Sequence, residues 1–151
     1  MDLILWRHAD AEDAFGGITD RDRKLTDKGQ RQAKKMAAWL NPQLPDNTRI
    51  LVSPAARALQ TAEALKRKFE ISDKLFTSAA ASDYLEASGW PGADCELLVG
   101  HQPTLGELAA LLMSGTPQMW DIKKGAVIWL RSVDGGNDAT LRAAMVPGML
   151  E

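Results

Sequence analysis

The sequence is poor in the residues from which most metal and redox centres are built. It holds one cysteine and two histidines in 151 residues. A single cysteine excludes a disulfide framework, and Cys95, set in an apolar run, reads as a small core residue of a reducing compartment. Neither sign of charge dominates, since 18 basic against 20 acidic side chains leave a net charge of -2. Without a broad positive field, neither nucleic acid nor an anionic membrane is an expected partner. No apolar stretch approaches the ~20 residues of a membrane helix, and no basic region precedes the one short apolar run at the amino terminus. A soluble, cytoplasmic protein is expected. A Walker loop, a dinucleotide glycine fingerprint and repeats of solenoid length are also missing. With 151 residues the chain has the size of one domain, so residues 1–151 are expected to fold as a single unit around one core.

What the sequence does contain is a recurring junction between an apolar run and a polar pair. Leu3 to Trp6 has no polar face, as in a strand covered on both sides, and it ends on Arg7 and His8. Arg49 to Val52 leads to Ser53-Pro54, with Ser53 expected to cap a helix and Arg57 to lie in its first turn. Glu96 to Gly100 ends on His101, followed by Gln102, Pro103 and a further helical pattern. In open α/β sheets, ligands bind in the crevice beyond the carboxyl ends of the strands. Both histidines of the chain fall at such ends.

The intervening segments fill in an α/β order. Ala11 to Lys24, polar and carrying Gly16-Gly17, is expected to be a loop over the crevice, with Arg21, Arg23 and Lys24 in reach of an anion. Thr26 is expected to cap a helix whose stripe is Ala33, Met36, Ala37 and Leu40, with Lys34-Lys35 on the solvated side. Ala58, Ala62, Leu65 and Phe69 mark a second buried stripe. The pattern weakens between Ile71 and Asp94, where Lys74 to Thr77 reads as a short strand and Asp83 to Ser88 as a short helix. Leu105, Leu108, Ala109 and Leu112 form a third stripe, ended by Ser114-Gly115. Ala126 to Arg131 and Thr140 to Met145 form a closing hairpin through Gly135-Gly136-Asn137. Trp39, Trp120 and Trp129 are assigned to packing. The expected fold is a three-layer α/β/α sandwich on a mixed, mostly parallel sheet.

Two arginines, two histidines and two helix amino ends at one sheet edge suit a compact, multiply charged anion, and phosphate fits best. Guanidinium forks grip phosphoryl oxygens in pairs, and helix amino ends add N–H donors. An imidazole with a reference pKa of about 6.5 also acts as a nucleophile near neutral pH. The competing use of histidine, metal binding, lacks a second histidine or cysteine at ligand spacing. Asp10, Glu12 and Asp13 are the carboxylates that such a site would need, and the adjacent arginines would repel a cation. No metal or cofactor is expected.

Taken together, Arg7-His8-Ala9, Ser53-Pro54 with Arg57 and Gln60-Thr61-Ala62, and Gly100-His101 resemble the histidine phosphatase superfamily, the phosphoglycerate mutase-like fold. Leu25-Thr26-Asp27-Lys28-Gly29 and the short chain are similar to its SixA-type phosphohistidine phosphatases. The resemblance covers residues 2 to about 131. It implies a phosphatase working without a metal through a phosphohistidine intermediate. His8 would be the nucleophile, with Arg7, Arg57 and His101 holding the phosphoryl oxygens and His101 cationic as the transition state forms; Gln102, next to His101 in the chain, is a further candidate for substrate binding. It also implies a phosphohistidine-bearing protein, such as a phosphotransfer domain, as partner and inorganic phosphate as product.

The departures from the family pattern bear on substrate. Ala11 and Ala14 stand where the mutase branch has a hydroxyl and an asparagine, and no glutamate lies near Thr77 to Asp83, where many phosphomonoesterases carry a general acid. If the substrate were instead a small phosphomonoester, Asp83 or Glu86 would have to serve as that acid. A non-catalytic phosphate-binding module is the third alternative.

Overall fold

The computed structural model describes residues 1–151 as a six-stranded sheet in the order β3-β2-β4-β1-β5-β6. β1 (Asp2–Arg7), β2 (Arg49–Val52), β3 (Glu70–Ile71) and β4 (Cys95–Gly100) run parallel to one another. β5 (Val127–Ser132) runs antiparallel beside β1, and β6 (Ala139–Met145) returns antiparallel to β5. The sheet is therefore mixed and mostly parallel, as the sequence suggests.

Side chains alternate between the two faces of a strand, so an unbroken apolar run requires cover on both. That cover is present. Ile4, Trp6, Ile50, Val52, Leu97 and Val99 pack with Met36, Leu40, Ala58 and Ala62 from α1 (Asp27–Leu40) and α2 (Ala56–Glu63). Leu3, Leu5, Leu51 and Leu98 face the other way, onto Tyr84 of α3 (Ala81–Ala87) and Leu105, Leu108 and Leu112 of α4 (Thr104–Ser114). These are the three layers. Trp39 and Trp129 meet edge to face at 6.4 Å, and Trp120 packs against the second core, so all three tryptophans are packing residues. None of the helices is long and apolar enough to cross a membrane.

Three local expectations are corrected. Ser53 does not cap α2: the helix starts later, with Ala55 at the cap, and Ser53 accepts from the Ala55 N–H at 3.2 Å. Lys74 to Thr77 is not a strand, because Asp73–Leu75 forms one 3-10 turn that buries Leu75 and leaves Asp73 and Lys74 exposed. The edge strand is Glu70–Ile71, two exposed residues with no apolar pattern to reveal them. Leu65 and Phe69 continue the buried stripe past the end of α2 at Glu63. Thr26 caps α1 as expected, its hydroxyl accepting the Gly29 N–H at 3.0 Å.

Gly29 sits where α1 touches the segment leaving β1, and a Cβ there would run into the Asp10 carbonyl. Helix propensity alone says that alanine should stabilise this position by about 1 kcal/mol. Overlap with fixed backbone opposes it at about 1–3 kcal/mol. Gly29→Ala is therefore expected to destabilise the protein, measured as a lower urea midpoint, despite the better helix former.

Candidate active site

The strand order places β4 between β2 and β1, and all three run the same way, so their carboxyl ends lie side by side. Backbone bonds continue past the strands: the His8 N–H donates to the Gly100 carbonyl at 3.1 Å, and the Ser53 N–H to that of Val99 at 3.0 Å. This register brings residues separated by almost 100 positions to one edge. A cavity of about 240 Å³ opens there, walled by Arg7, His8, Arg57 and His101, with Arg23 and Lys124 supplying two more cations. Ala11, Thr77 and Gln102 complete the lining, which includes no carboxylate.

His8 is buried, and its Nδ1 lies 2.8 Å from the Ala9 carbonyl oxygen. A carbonyl can only accept, so Nδ1 carries the proton and Nε2 keeps its lone pair. The Arg57 Nε–H points at that lone pair from 3.4 Å. Burial, and then the charges of Arg57 and Arg7, push the His8 pKa down to about 3. Thr61 fixes the backbone on which this depends: its hydroxyl accepts from the Ala9 N–H at 3.0 Å and donates to the Arg57 carbonyl at 2.7 Å.

His101 stands 5.2 Å from His8, ring centre to ring centre. Its Nε2 lies 2.7 Å from the Ser53 hydroxyl, which is the contact that takes Ser53 away from the expected cap. Its backbone N–H donates to the Tyr84 hydroxyl at 3.1 Å, and that hydroxyl donates to the Leu75 carbonyl at 2.9 Å. Sequence reading missed Tyr84. The available signal was Gly100, where a Cβ would collide with the phenol ring. Burial, and then the neighbouring His8 and Arg57, push the His101 pKa down to about 3, and the cationic form that the resemblance implies belongs to the transition state. An anion has to arrive before the proton is favoured.

Arg7 donates through Nη1 to the Ile122 carbonyl at 2.8 Å. Two buried side-chain polar atoms in the protein have no partner, Arg7 Nε and His101 Nδ1, and both belong to residues lining this cavity. Unpaired buried nitrogens are costly.

Gln102 also lines the cavity, but its amide is already engaged: it donates to the Trp120 carbonyl and accepts from the Gly106 N–H, each at 2.8 Å. It thereby holds the segment that presents Ile122 to Arg7. Of the loop cations, Arg23 lines the cavity, Arg21 lies over the Phe76 ring at 5.8 Å, and Lys24 pairs through its backbone with Glu12. Asp83 accepts from the Ala80 N–H at 2.8 Å and Glu86 pairs with Lys74 at 2.7 Å, so neither faces the cavity. Asp10 is bound by Thr26 and Lys124, and no group of three or more metal-ligating side chains gathers anywhere.

The two depressed histidines link stability to pH. Between about 3 and 6.5 the unfolded chain binds protons that the folded chain refuses, so stability falls as pH drops through that window. The limiting slope is about 1.4 kcal/mol per pH unit for each histidine. Sulfate keeps its charge over this range and, seated among the arginines, raises both folded pKa values. The stabilisation by sulfate, read from denaturation midpoints, is therefore expected to be larger at pH 5 than at pH 7.5. Equal gains at both would contradict a cavity holding neutral histidines.

Known proteins resemble this chain along most of its length. Residues 3–77 match the family model of the histidine phosphatase superfamily (branch 1). An uncharacterised protein of Picosynechococcus is 38% identical over 87% of this chain and 86% of its own. Phosphohistidine phosphatase SixA of Escherichia coli is 32% identical over 97% of this chain and 94% of its own. A structure of the protein histidine phosphatase SixA complexed with tungstate superposes with a TM-score of 0.81 at 31% identity, covering 100% of both chains. With the family model matched on its amino-terminal half and a curated relative matched along nearly its whole length, this chain belongs to the histidine phosphatase superfamily.

Proposed function

We propose that this protein is a phosphohistidine phosphatase that acts on phosphohistidine displayed by another protein, such as a phosphotransfer domain, and passes the phosphoryl group through His8. The observation that carries the reading is the His8 Nε2 lone pair, held free of its proton and facing a cavity lined by four cations and no carboxylate. The names of the SixA relatives support the same substrate class.

In this mechanism the phosphoryl oxygens are gripped by Arg7 and Arg57, whose forked donors match them, and by His101, which gains its proton as the dianion enters. The His8 Nε2 attacks phosphorus while the bond from phosphorus to the substrate imidazole breaks. That imidazole, protonated on its other nitrogen beforehand, leaves neutral. The Nδ1–H bond to the Ala9 carbonyl supports the positive charge that the His8 ring acquires. Water then attacks the phosphoryl group, inorganic phosphate departs with both water protons, and Nε2 recovers its lone pair. The fixed cations perform the charge neutralisation for which other phosphatases use a metal.

The leaving group selects the substrate. An alkoxide would need a carboxylic acid beside it, and the two candidates, Asp83 and Glu86, are spent on Ala80 and Lys74. A protonated imidazole needs none. No domain is inserted over the cavity between the elements of the fold, leaving access for a side chain presented on a protein surface.

His8→Ala is expected to lower kcat by about a thousandfold or more and to abolish acid-labile phosphate trapped on the protein. His101→Ala should weaken phosphate binding and lower kcat by about a hundredfold or more. Wild-type protein should hydrolyse a phosphohistidine protein in preference to sugar and nucleotide phosphates, and Asp83→Asn should leave both rates unchanged. Full activity in His8→Ala, or faster turnover of the monoesters, would overturn the proposal.

A further inference from the structure

We infer that Asp20, on the loop between β1 and α1, is a positioning residue that fixes the outer edge of the Arg57 guanidinium so that its inner edge meets the phosphoryl group. The inference rests on the phosphoryl-transfer reading above. Arg57 has three nitrogens and all are assigned. Nη1 donates to the Asp20 carbonyl at 2.7 Å, Nη2 to the Asp20 carboxylate at 3.2 Å, and Nε to His8 Nε2 at 3.4 Å. A guanidinium is rigid and planar, so holding the Nη pair at one end sets the direction of the Nε edge at the other. The Arg57 side chain is 3% exposed, and Asp20 is the one carboxylate within ion-pair distance of it.

The backbone of the loop is shaped for this contact. Asp20–Asp22 forms a single 3-10 turn, tied by the Asp22 N–H to the Thr19 carbonyl and by the Thr19 hydroxyl to the Asp22 carboxylate. The turn presents the carbonyl and the carboxylate of Asp20 together. The second carboxylate oxygen accepts from Arg23 Nε at 3.0 Å, and Arg23 Nη1 donates to the Glu12 carbonyl at 2.8 Å. One acidic side chain thus orients two of the four cations that line the cavity. Although burial opposes its charge, Arg57 and Arg23 hold the Asp20 carboxyl below its usual range, so it stays ionised while doing so.

An acidic residue beside a phosphate site has an alternative role, that of an internal anion which substrate must displace. Geometry separates the two. A displaceable anion would lie between Arg57 and His8, whereas Asp20 takes the two outer nitrogens, leaves the Nε edge turned to Nε2, and does not line the cavity. Its side chain is 55% exposed, so replacing it opens no hole in the core.

The test measures calorimetric binding of inorganic phosphate and kcat/KM on a phosphohistidine protein for Asp20→Ala, Asp20→Asn and Asp20→Glu. Each is made in the wild-type and Arg57→Ala backgrounds. Asp20→Ala is expected to weaken phosphate binding and lower kcat/KM by about tenfold to a hundredfold, the scale of a misdirected binding group. Asp20→Asn, which keeps the shape and loses the charge, should move both the same way by less, and Asp20→Glu should recover part of the loss. In the Arg57→Ala background the further loss should be several-fold smaller than in the wild type, because only the share carried through Arg23 is left to lose. Unchanged or tighter phosphate binding in Asp20→Ala overturns the inference, as does an equal loss in both backgrounds. A wild-type protein that binds no phosphate would instead overturn the phosphatase reading.

Discussion

The hydrogen bond between His8 Nδ1 and the Ala9 carbonyl governs everything else in the cavity. At 2.8 Å it assigns the ring proton to the far side and leaves Nε2 unprotonated in a site where burial already discourages a cation. The bond holds because Thr61 secures Ala9 from one side and Arg57 from the other through the same hydroxyl. A strand end, a helix and a tautomer are therefore one arrangement. Were that proton on Nε2, the arginines would keep their places, but the proposed nucleophile would have no lone pair to offer on that side.

Around that centre the charges are deliberately unbalanced. Arg7, Arg57, Arg23 and Lys124 line the cavity without a carboxylate among them, while Asp20 and Asp10 hold three of these cations from outside it. Burial first, and the neighbouring arginines after it, keep both histidines neutral, and Arg7 Nε and His101 Nδ1 have no partner. Such groups persist in a folded protein when a bound state compensates them. The net charge of the chain, -2, hides this completely, since the imbalance is confined to one small hollow.

The central strands were legible in the sequence because double-sided cover leaves continuous apolar runs, and β1, β2 and β4 have that cover. The arginine and histidine pairs at their ends were visible for the same reason, since each marks where an apolar run stops. The residues that aim those groups left weaker traces. Tyr84 and Asp20 act through contacts 17 and 37 positions away, respectively, and no periodic pattern encodes such distances. Gln102 sits next to His101 and so suggested substrate contact, but adjacency in the chain does not reveal that its amide faces Trp120 and Gly106. Ser53 was mistaken for a helix cap because a serine before a proline has two uses for its hydroxyl, and here His101 takes precedence.

The position of β4 has a consequence for how the molecule comes into being. It is inserted between two strands made earlier, β2 and β1, and it delivers His101 only when it is seated there. A nascent chain that has emerged as far as α3 holds His8 just past β1 and Arg57 on α2, which follows β2, and these two strands have no direct pairing; the hollow has no second imidazole. Assembly of the reactive centre and closure of the sheet are thus the same event. Catalytic competence should appear all at once, late in synthesis, with no half-finished species able to touch cellular phosphoryl groups.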